Sequence, residues 1–197
     1  AFFSESAIVA RIRRQLITRI DPALHERLKA RAQAEGSSLN SLVETYFSAF
    51  LDCIQDAGGD INETAGDGLM AIFPEDDPHR HALDAVGAAI GLLRITSQLN
   101  QANFAHPLAV HMGVNSGPAL VGSTRFEGAR GSRWTFTASG AVTNLAARLA
   151  AAAGPGQILA GPETARRLAH RYRAERLGRE NLKNITEAID IYRIVDR

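Results

Sequence analysis

Cysteine is almost missing from this sequence, since Cys53 is the only one among 197 residues. One cysteine excludes an internal disulfide and a zinc cluster built on thiolates, and it is compatible with a reducing, cytoplasmic location, which we expect. Net charge is nearly missing too, because 22 basic residues stand against 21 acidic ones. With so little excess charge, we expect no nucleic-acid partner.

Long apolar runs are also missing. No stretch approaches the 18 uninterrupted apolar residues of a membrane-spanning helix, so we expect no membrane span. The opening residues AFFSESAIVARIRRQ lack both the apolar run and the small-residue cleavage site of a signal peptide. Hydrophobic residues make up 45% of the chain, which is enough for the core of one ordinary domain.

The order of apolar patterns predicts a mixed fold. We expect residues 1–15 to form a lead-in helix and residues 16–197 to form the main domain. Apolar residues at three- and four-residue steps from Leu39 to Ile54 predict a helix packed on a sheet. Strands and helices mix without strict alternation, which favours an α+β fold, an α/β sandwich. Further predicted elements are a strand at 15–20, a helix at 23–34, a hairpin at 61–73 and a helix at 79–99. They are followed by strands at 108–114, 119–122 and 134–137, a protruding loop at 123–133, a helix at 141–152, a strand at 157–160, a helix from 161, and a final hairpin ending at 189–195.

Two aspartates stand where predicted strands end. Asp21 follows the first strand, and Asp67 lies at the tip of the hairpin. If the two strands are neighbours, both carboxylates project from one edge and can hold Mg²⁺ or Mn²⁺, which prefer oxygen ligands. The alternative is that Asp21 caps the next helix and Asp67 merely suits its turn.

Three polar residues near the C-terminus form a second candidate group. Asn144 and Arg148 lie four residues apart on one helix and therefore share a face. An amide beside a guanidinium suits a ribose and a phosphate, although an Arg paired with a surface carboxylate would fit as well. Lys183 follows in NLKNI, where a lone Lys is usually solvated.

Four blocks of sequence resemble the class III adenylyl and guanylyl cyclases, in the order found in that family. They are GGDINETAGDGLMAIFP (58–74), HMGVNSGPALVG (111–122), FTASGAVTNLAARLAAAAGPGQIL (136–159) and NLKNITEAIDIYRI (181–194). The resemblance implies a ferredoxin-like cyclase domain with a mixed, mainly antiparallel sheet over residues 16–197. It also implies an enzyme that converts a nucleoside triphosphate into a 3′,5′-cyclic nucleotide and pyrophosphate.

The resemblance also assigns roles. It implies that Asp67 and Asp21 hold two Mg²⁺ or Mn²⁺ ions, that Asn144 orients the ribose, and that Arg148 stabilises charge on phosphorus. Lys183 would bind the terminal phosphates. In this family two subunits pair head to tail and share each site, so a homodimer is implied, with residues 123–133 as an arm that embraces the partner.

This sequence departs from the family around Asp21, because Pro22 follows it and the usual Gly-Phe step is absent. The base-selecting positions differ as well. Glu63 stands where adenylyl cyclases have Lys, and Thr137 occupies the second position. An ionised Glu only accepts hydrogen bonds, so it suits guanine, cytosine or uracil better than adenine N1.

Other readings of the sequence stay open. Some stand-alone bacterial members of the family make cyclic CMP or UMP as a signal against phage, and this chain is a candidate for that type. The unusual setting of Asp21 also fits a catalytically weak, dimeric regulatory domain. The stretch 16–44 resembles a ribbon-helix-helix DNA-binding module in outline, which the balanced charge disfavours.

Overall fold

The structure is a computed structural model that describes residues 9–10, 15–19, 39–65, 68–74, 77–101, 109–128, 131–168 and 171–196. These ranges contain ten strands and four helices. In chain order they are β1 (Val9–Ala10), β2 (Gln15–Arg19), α1 (Leu39–Asp56), β3 (Asp60–Ala65), β4 (Gly68–Ile72), α2 (Pro78–Gln101), β5 (His111–Asn115), β6 (Leu120–Gly128), β7 (Gly131–Ser139), α3 (Ala141–Ala152), β8 (Ile158–Ala160), α4 (Pro162–Arg167), β9 (Arg173–Glu180) and β10 (Ile189–Val195).

Seven strands form the main sheet in the order β3-β4-β2-β5-β8-β10-β9. β5 and β8 run parallel, and the other described pairs of this sheet are antiparallel. The residues of β4 and β5 are buried throughout, because helices cover the sheet on both faces. A three-stranded sheet, β1-β6-β7, stands beside it. The expected α+β sandwich with a mainly antiparallel mixed sheet is confirmed.

One face of the sheet packs on α1 and α2. Every fourth residue of α1 (Tyr46, Phe50 and Ile54) is buried in this core, which confirms the helical periodicity of the sequence. Phe47 lies half-buried against the same cluster, so the two neighbouring aromatics are core residues. Two residues after the end of α1, Gly58 turns the chain with a φ of 77°, which belongs to the left-handed region that glycine adopts without strain.

By length and composition, α2 is the one described helix that could cross a membrane. Its buried residues, among them Val86, Ala89 and Leu92, belong to the core cluster that also contains the α1 residues. A core helix passes the same test of length and apolarity, and α2 is such a helix in this fold.

The other face of the sheet packs on α3. Val142, Ala146, Leu149 and Ala150 are the buried residues of this helix. Gly113 of β5 lies directly beneath it, because an added Cβ would stand 2.2 Å from the Ala146 carbonyl oxygen and 2.3 Å from the Ala150 nitrogen. Only glycine lets the helix backbone come so close to the strand.

The expectation of a lead-in helix over residues 1–15 is wrong at Val9 and Ala10. These two residues form β1, which pairs antiparallel with β6 through the partners Gly122 and Val121. This pairing covers Val121 and Gly122 on the outer side of β6, and a hydrophobic pattern does not reveal it. The rest of 1–14 lies outside the described residues, and the domain boundary at 15/16 stays a prediction.

The expectation of a protruding loop at 123–133 is wrong for most of that stretch. β6 continues to Gly128 and β7 begins at Gly131, and the two pair in register from Leu120↔Ser139 to Gly128↔Gly131. The glycines and arginines of this stretch suggested a loop, but they are compatible with a two-stranded ribbon. Antiparallel strands pair through hydrogen bonds between backbone N–H and C=O groups, which every one of these residues has. Residues 129–130 lie outside the described part.

Most other predicted elements agree with the structure to within a few residues. The strand at 15–20, the hairpin at 61–73 and the long helix at 79–99 correspond to β2, β3–β4 and α2. The predicted helix 141–152 coincides with α3. The predicted helix at 23–34 lies outside the described residues.

Replacement of Gly113 by Ala tests the contact between α3 and β5. We expect Gly113→Ala to lower the free energy of unfolding by about 3 kcal/mol or more, because the new methyl group overlaps the helix backbone. Urea denaturation measures the change. Gly154→Ala is the control, since its Cβ would come no closer than 3.4 Å to Gln157, and it should change stability by less than about 1 kcal/mol. Equal effects of the two variants would contradict the packing argument.

Candidate functional site

The strands that lead to the two aspartates meet at one end of the main sheet. Thr18 of β2 pairs with Leu69 of β4, so Arg19 and Gly68 lie side by side. β5 begins at the same level, because Arg19 also pairs with His111. We call this edge the hairpin end of the sheet. Asp21 and Asp67 themselves lie outside the described residues.

Asn144 and Arg148 lie on the side of α3 that faces away from the main sheet. Asn144 is exposed and Arg148 is half-buried, whereas Ala146 and Leu149 between and beside them are fully buried. No described residue forms a hydrogen bond or ion pair with either side chain. Both polar groups are therefore available to a ligand or to another chain.

Lys183 lies at the opposite end of the sheet. The connection 181–188 joins β9 to β10 where Glu180 pairs with Ile189. Since β10 is antiparallel to β8, and β8 is parallel to β5, this connection is at the end where β5 stops. From the rise per residue and the spacing of strands, the end of β2 at Arg19 and the start of β10 at Ile189 are on the order of 20 Å apart.

Lys183 nevertheless belongs with α3. Leu182 packs against the same apolar cluster as Leu145, and that cluster contains Leu149 and Ile191. Lys183 itself is exposed. Asn184, the next residue, has a φ of 62° and turns the chain. The packing of Leu182 and Leu145 puts Lys183 on the α3 side of the sheet, and we call Asn144, Arg148 and Lys183 the α3 group.

Arginine pairs hold the hairpin that carries Lys183. Arg193 of β10 donates to Glu175 of β9 at 2.5 Å, and Arg176 donates to Asp190 at 2.5 Å. The hydrogen bond from Arg193 is the main reason that the pKa of Glu175 lies below its ordinary value. These pairs are largely exposed to solvent, so each contributes little to the stability of the hairpin.

Glu63 and Thr137 lie on strands that contact each other, β3 and β7. The backbone of Glu63 faces Met70 beside a register shift, and that of Thr137 faces Gly122. Met70 and Val121 share an apolar cluster, which joins the β3–β4 hairpin to the β6–β7 ribbon. The two positions predicted to select the base are thus on adjoining strands, while their side chains lie outside the described part.

A metal cluster of three or more acidic, histidine or cysteine side chains does not occur among the described residues. The sequence instead predicts a two-aspartate site with phosphate oxygens as further ligands. Its location would be the hairpin end, where the strands leading to residues 21 and 67 are adjacent.

Sequence reasoning missed three residues of β5 that contact α3. His111 and Asn115 hydrogen-bond to carbonyl oxygens of this helix, and Gly113 between them makes the close backbone contact. The signal was present in HMGVN, where the first, third and fifth residues share one face of a strand and none is a large apolar residue.

Comparison with known proteins agrees with this fold. A family model of the adenylate and guanylate cyclase catalytic domain matches residues 25–195, which includes Asp67 and the α3 group and begins just after Asp21. The terminal-differentiation specific adenylate cyclase of Dictyostelium discoideum is 29% identical over 167 residues. That alignment covers 78% of this chain, and the chain spans only 7% of the relative's length.

Solved cyclase structures have the same architecture. The adenylyl cyclase CyaB from P. aeruginosa superposes with a TM-score of 0.79 at 25% identity, over 94% of this chain and 95% of that one. The guanylyl cyclase Cya2 superposes with a TM-score of 0.70 at 22% identity, over 94% and 93%, and supports the fold alone. Because the family match runs over most of the chain, the chain belongs to the adenylate and guanylate cyclase catalytic domains, the class III nucleotidyl cyclases.

Proposed function

We propose that two copies of this chain pair and convert a nucleoside triphosphate into a 3′,5′-cyclic nucleotide and pyrophosphate at sites shared between them. The observation that carries the proposal is the separation within one chain. Lys183 lies at the end of the sheet opposite the hairpin end. Asn144 and Arg148 lie on the side of α3 that faces away from the sheet. A head-to-tail pair would bring the hairpin end of one copy to the α3 group of the other.

Asp21 and Asp67 would hold the divalent ions, Mg²⁺ or Mn²⁺, two to a site. The fit rests on the chemistry of the donors, since carboxylate oxygens are the ligands that these hard ions prefer, and on the pairing of Thr18 with Leu69. When bound, such ions lower the pKa of a coordinated hydroxyl and neutralise phosphate charge.

The other residues act on the substrate directly. Asn144 holds the ribose so that its 3′-oxygen lies in line with the α-phosphorus, which is a positioning effect. The 3′-hydroxyl gives up its proton to water as its oxygen bonds to the α-phosphorus, the bond from that phosphorus to the β-phosphate oxygen breaks, and pyrophosphate leaves. Arg148 neutralises the charge that develops at the α-phosphate, and Lys183 binds the β- and γ-phosphates.

We further propose that the base is not adenine. An ionised Glu63 only accepts hydrogen bonds, so it suits the ring N–H of guanine or uracil and the amino group of cytosine. Adenine also has an amino group, but the N1 beside it needs a donor, which Glu63 does not supply. The relatives from Dictyostelium discoideum and P. aeruginosa are named as adenylate and adenylyl cyclases, which favours ATP instead. Turnover of the four nucleoside triphosphates decides between the two possibilities. A role against phage and a cytoplasmic location remain predictions from the sequence.

The first test is complementation between two inactive variants. Asp67→Asn removes a proposed metal ligand, and Arg148→Ala removes the proposed transition-state cation. We expect each alone to lower kcat by about 100-fold or more. Mixed heterodimers should regain about a quarter to a half of wild-type activity, because each has one intact site. Production of cyclic nucleotide is the measurement. Absence of rescue in confirmed heterodimers would argue for a site within one chain.

The second test separates catalysis from folding on α3. Arg148→Ala should change the free energy of unfolding by less than about 0.5 kcal/mol, because its side chain is outside the core. Leu149→Ala, one residue further on, should cost about 3 kcal/mol, since Leu149 is completely buried. Chemical denaturation of both variants gives the comparison. Strong destabilisation by Arg148→Ala would mean that this side chain packs within its own chain.

The third test addresses the base. We expect wild-type protein, offered all four nucleoside triphosphates in Mg²⁺ and in Mn²⁺, to turn over GTP, CTP or UTP faster than ATP. Glu63→Lys should shift kcat/KM toward ATP by about tenfold or more, because Lys donates to adenine N1. Glu63→Gln is the control of matched shape and should weaken discrimination without reversing it. A wild-type preference for ATP would refute the argument from Glu63. Absence of any product would favour a regulatory domain.

A further inference from the structure

β5 holds α3 through three alternate residues on one face. His111 Nδ1 lies 2.6 Å from the Ala150 carbonyl oxygen, and Asn115 Nδ2 donates to the Val142 carbonyl oxygen at 3.1 Å. Gly113 lies midway between them, against the backbone of the helix. His111 and Asn115 are both buried, with 8% and 4% of their surface exposed. We call these three residues the β5 clasp.

The two hydrogen bonds are matched in spacing. The strand rises about 13 Å between His111 and Asn115, and the helix rises about 12 Å between Val142 and Ala150. The helix therefore runs antiparallel to the strand and is fixed at both ends. Asn144 and Arg148 lie between the two fixed points, each two residues inward from one of them.

The chemistry of each contact makes it directional. A carbonyl oxygen only accepts, so the His111 imidazole carries its proton on Nδ1. Ala150 belongs to the last turn of α3, where its carbonyl oxygen accepts a bond of 3.2 Å from the N–H of Ala153, the C-cap residue, and His111 supplies a second and shorter bond. Apolar packing by Ala146 and Leu149 holds the helix against the sheet, and the two hydrogen bonds add contacts that depend on the position and angle of donor and acceptor.

We propose that His111 and Asn115 are positioning residues that set the axial position of α3, and through it the placement of Asn144 and Arg148 on the substrate. This inference rests on the proposed function of the α3 group. A shift of α3 of about 1 Å would misplace the Arg148 guanidinium at the moment when charge develops on the α-phosphate. Such misplacement lowers kcat more than it raises KM, and it can cost up to about 100-fold.

The experiment compares two substitutions of His111 that have similar side-chain shapes, of which only one keeps a hydrogen-bond donor. Asn and Leu have similar outlines, and the amide nitrogen of an Asn at position 111 would stand close to where Nδ1 does. We expect His111→Asn to keep kcat within about threefold of wild type, and His111→Leu to lower kcat about tenfold or more, with KM changed less than about threefold. Asn115→Leu should behave as His111→Leu does.

A buried hydrogen bond elsewhere provides the control. Thr96 Oγ1 donates to the Leu92 carbonyl oxygen at 2.7 Å within α2, on the opposite side of the sheet from α3. Thr96→Val removes this bond with little change of shape and should leave kcat unchanged. If His111 had a purely structural role, His111→Leu would lower the midpoint of thermal unfolding but keep the kcat of wild type below that midpoint, as expected for Thr96→Val, and this result would overturn the proposal.

Amide hydrogen exchange gives a measurement that does not need activity. We expect peptides covering residues 141–153 to exchange about tenfold faster in His111→Leu than in wild type, and near the wild-type rate in His111→Asn and Thr96→Val. Unchanged exchange in His111→Leu, or an equal loss of kcat in the Asn and Leu variants, would overturn the proposal. A wild-type protein without cyclase activity would refute the proposed function, while the exchange comparison would still decide whether the clasp fixes α3.

Discussion

The close contact between α3 and β5 is the constraint on which the rest of the structure depends. Gly113 has no side chain, and the helix backbone occupies the space that one would fill. This brings α3 against the centre of the sheet and buries Ala146, Leu149 and Ala150 completely. The helix then has one face left for polar residues, and that face carries Asn144 and Arg148.

The candidate metal-binding and phosphate-binding residues lie at two different ends of the main sheet. The strands leading to Asp21 and Asp67 finish at the hairpin end, beside His111. The connection that carries Lys183 is at the other end, held against α3 by Leu182. A sheet of this topology keeps the two groups apart in one chain, so the shared site proposed above requires a partner subunit to bring them together.

Polar residues in the core serve this arrangement. His111 and Asn115 are buried where an apolar residue would pack well, and each hydrogen-bonds to a carbonyl oxygen of α3. Thr164 of α4 donates to Ser116 at 3.0 Å beside them, where β5 ends. Buried donors are costly when unpaired, which makes these contacts specific for one position of the helix.

Local pattern in the sequence determined α1, the β3–β4 hairpin and α3, because a helix period and an Asp-Gly turn are read from neighbouring residues. It also determined the family, through four ordered blocks. Only the tertiary structure decided that Val9 and Ala10 pair with β6, that 123–133 mostly forms a ribbon, and that Gly113 of β5 lies against the backbone of α3. These features depend on backbone pairing and packing between segments distant in the chain, for which hydrophobic periodicity carries no signal.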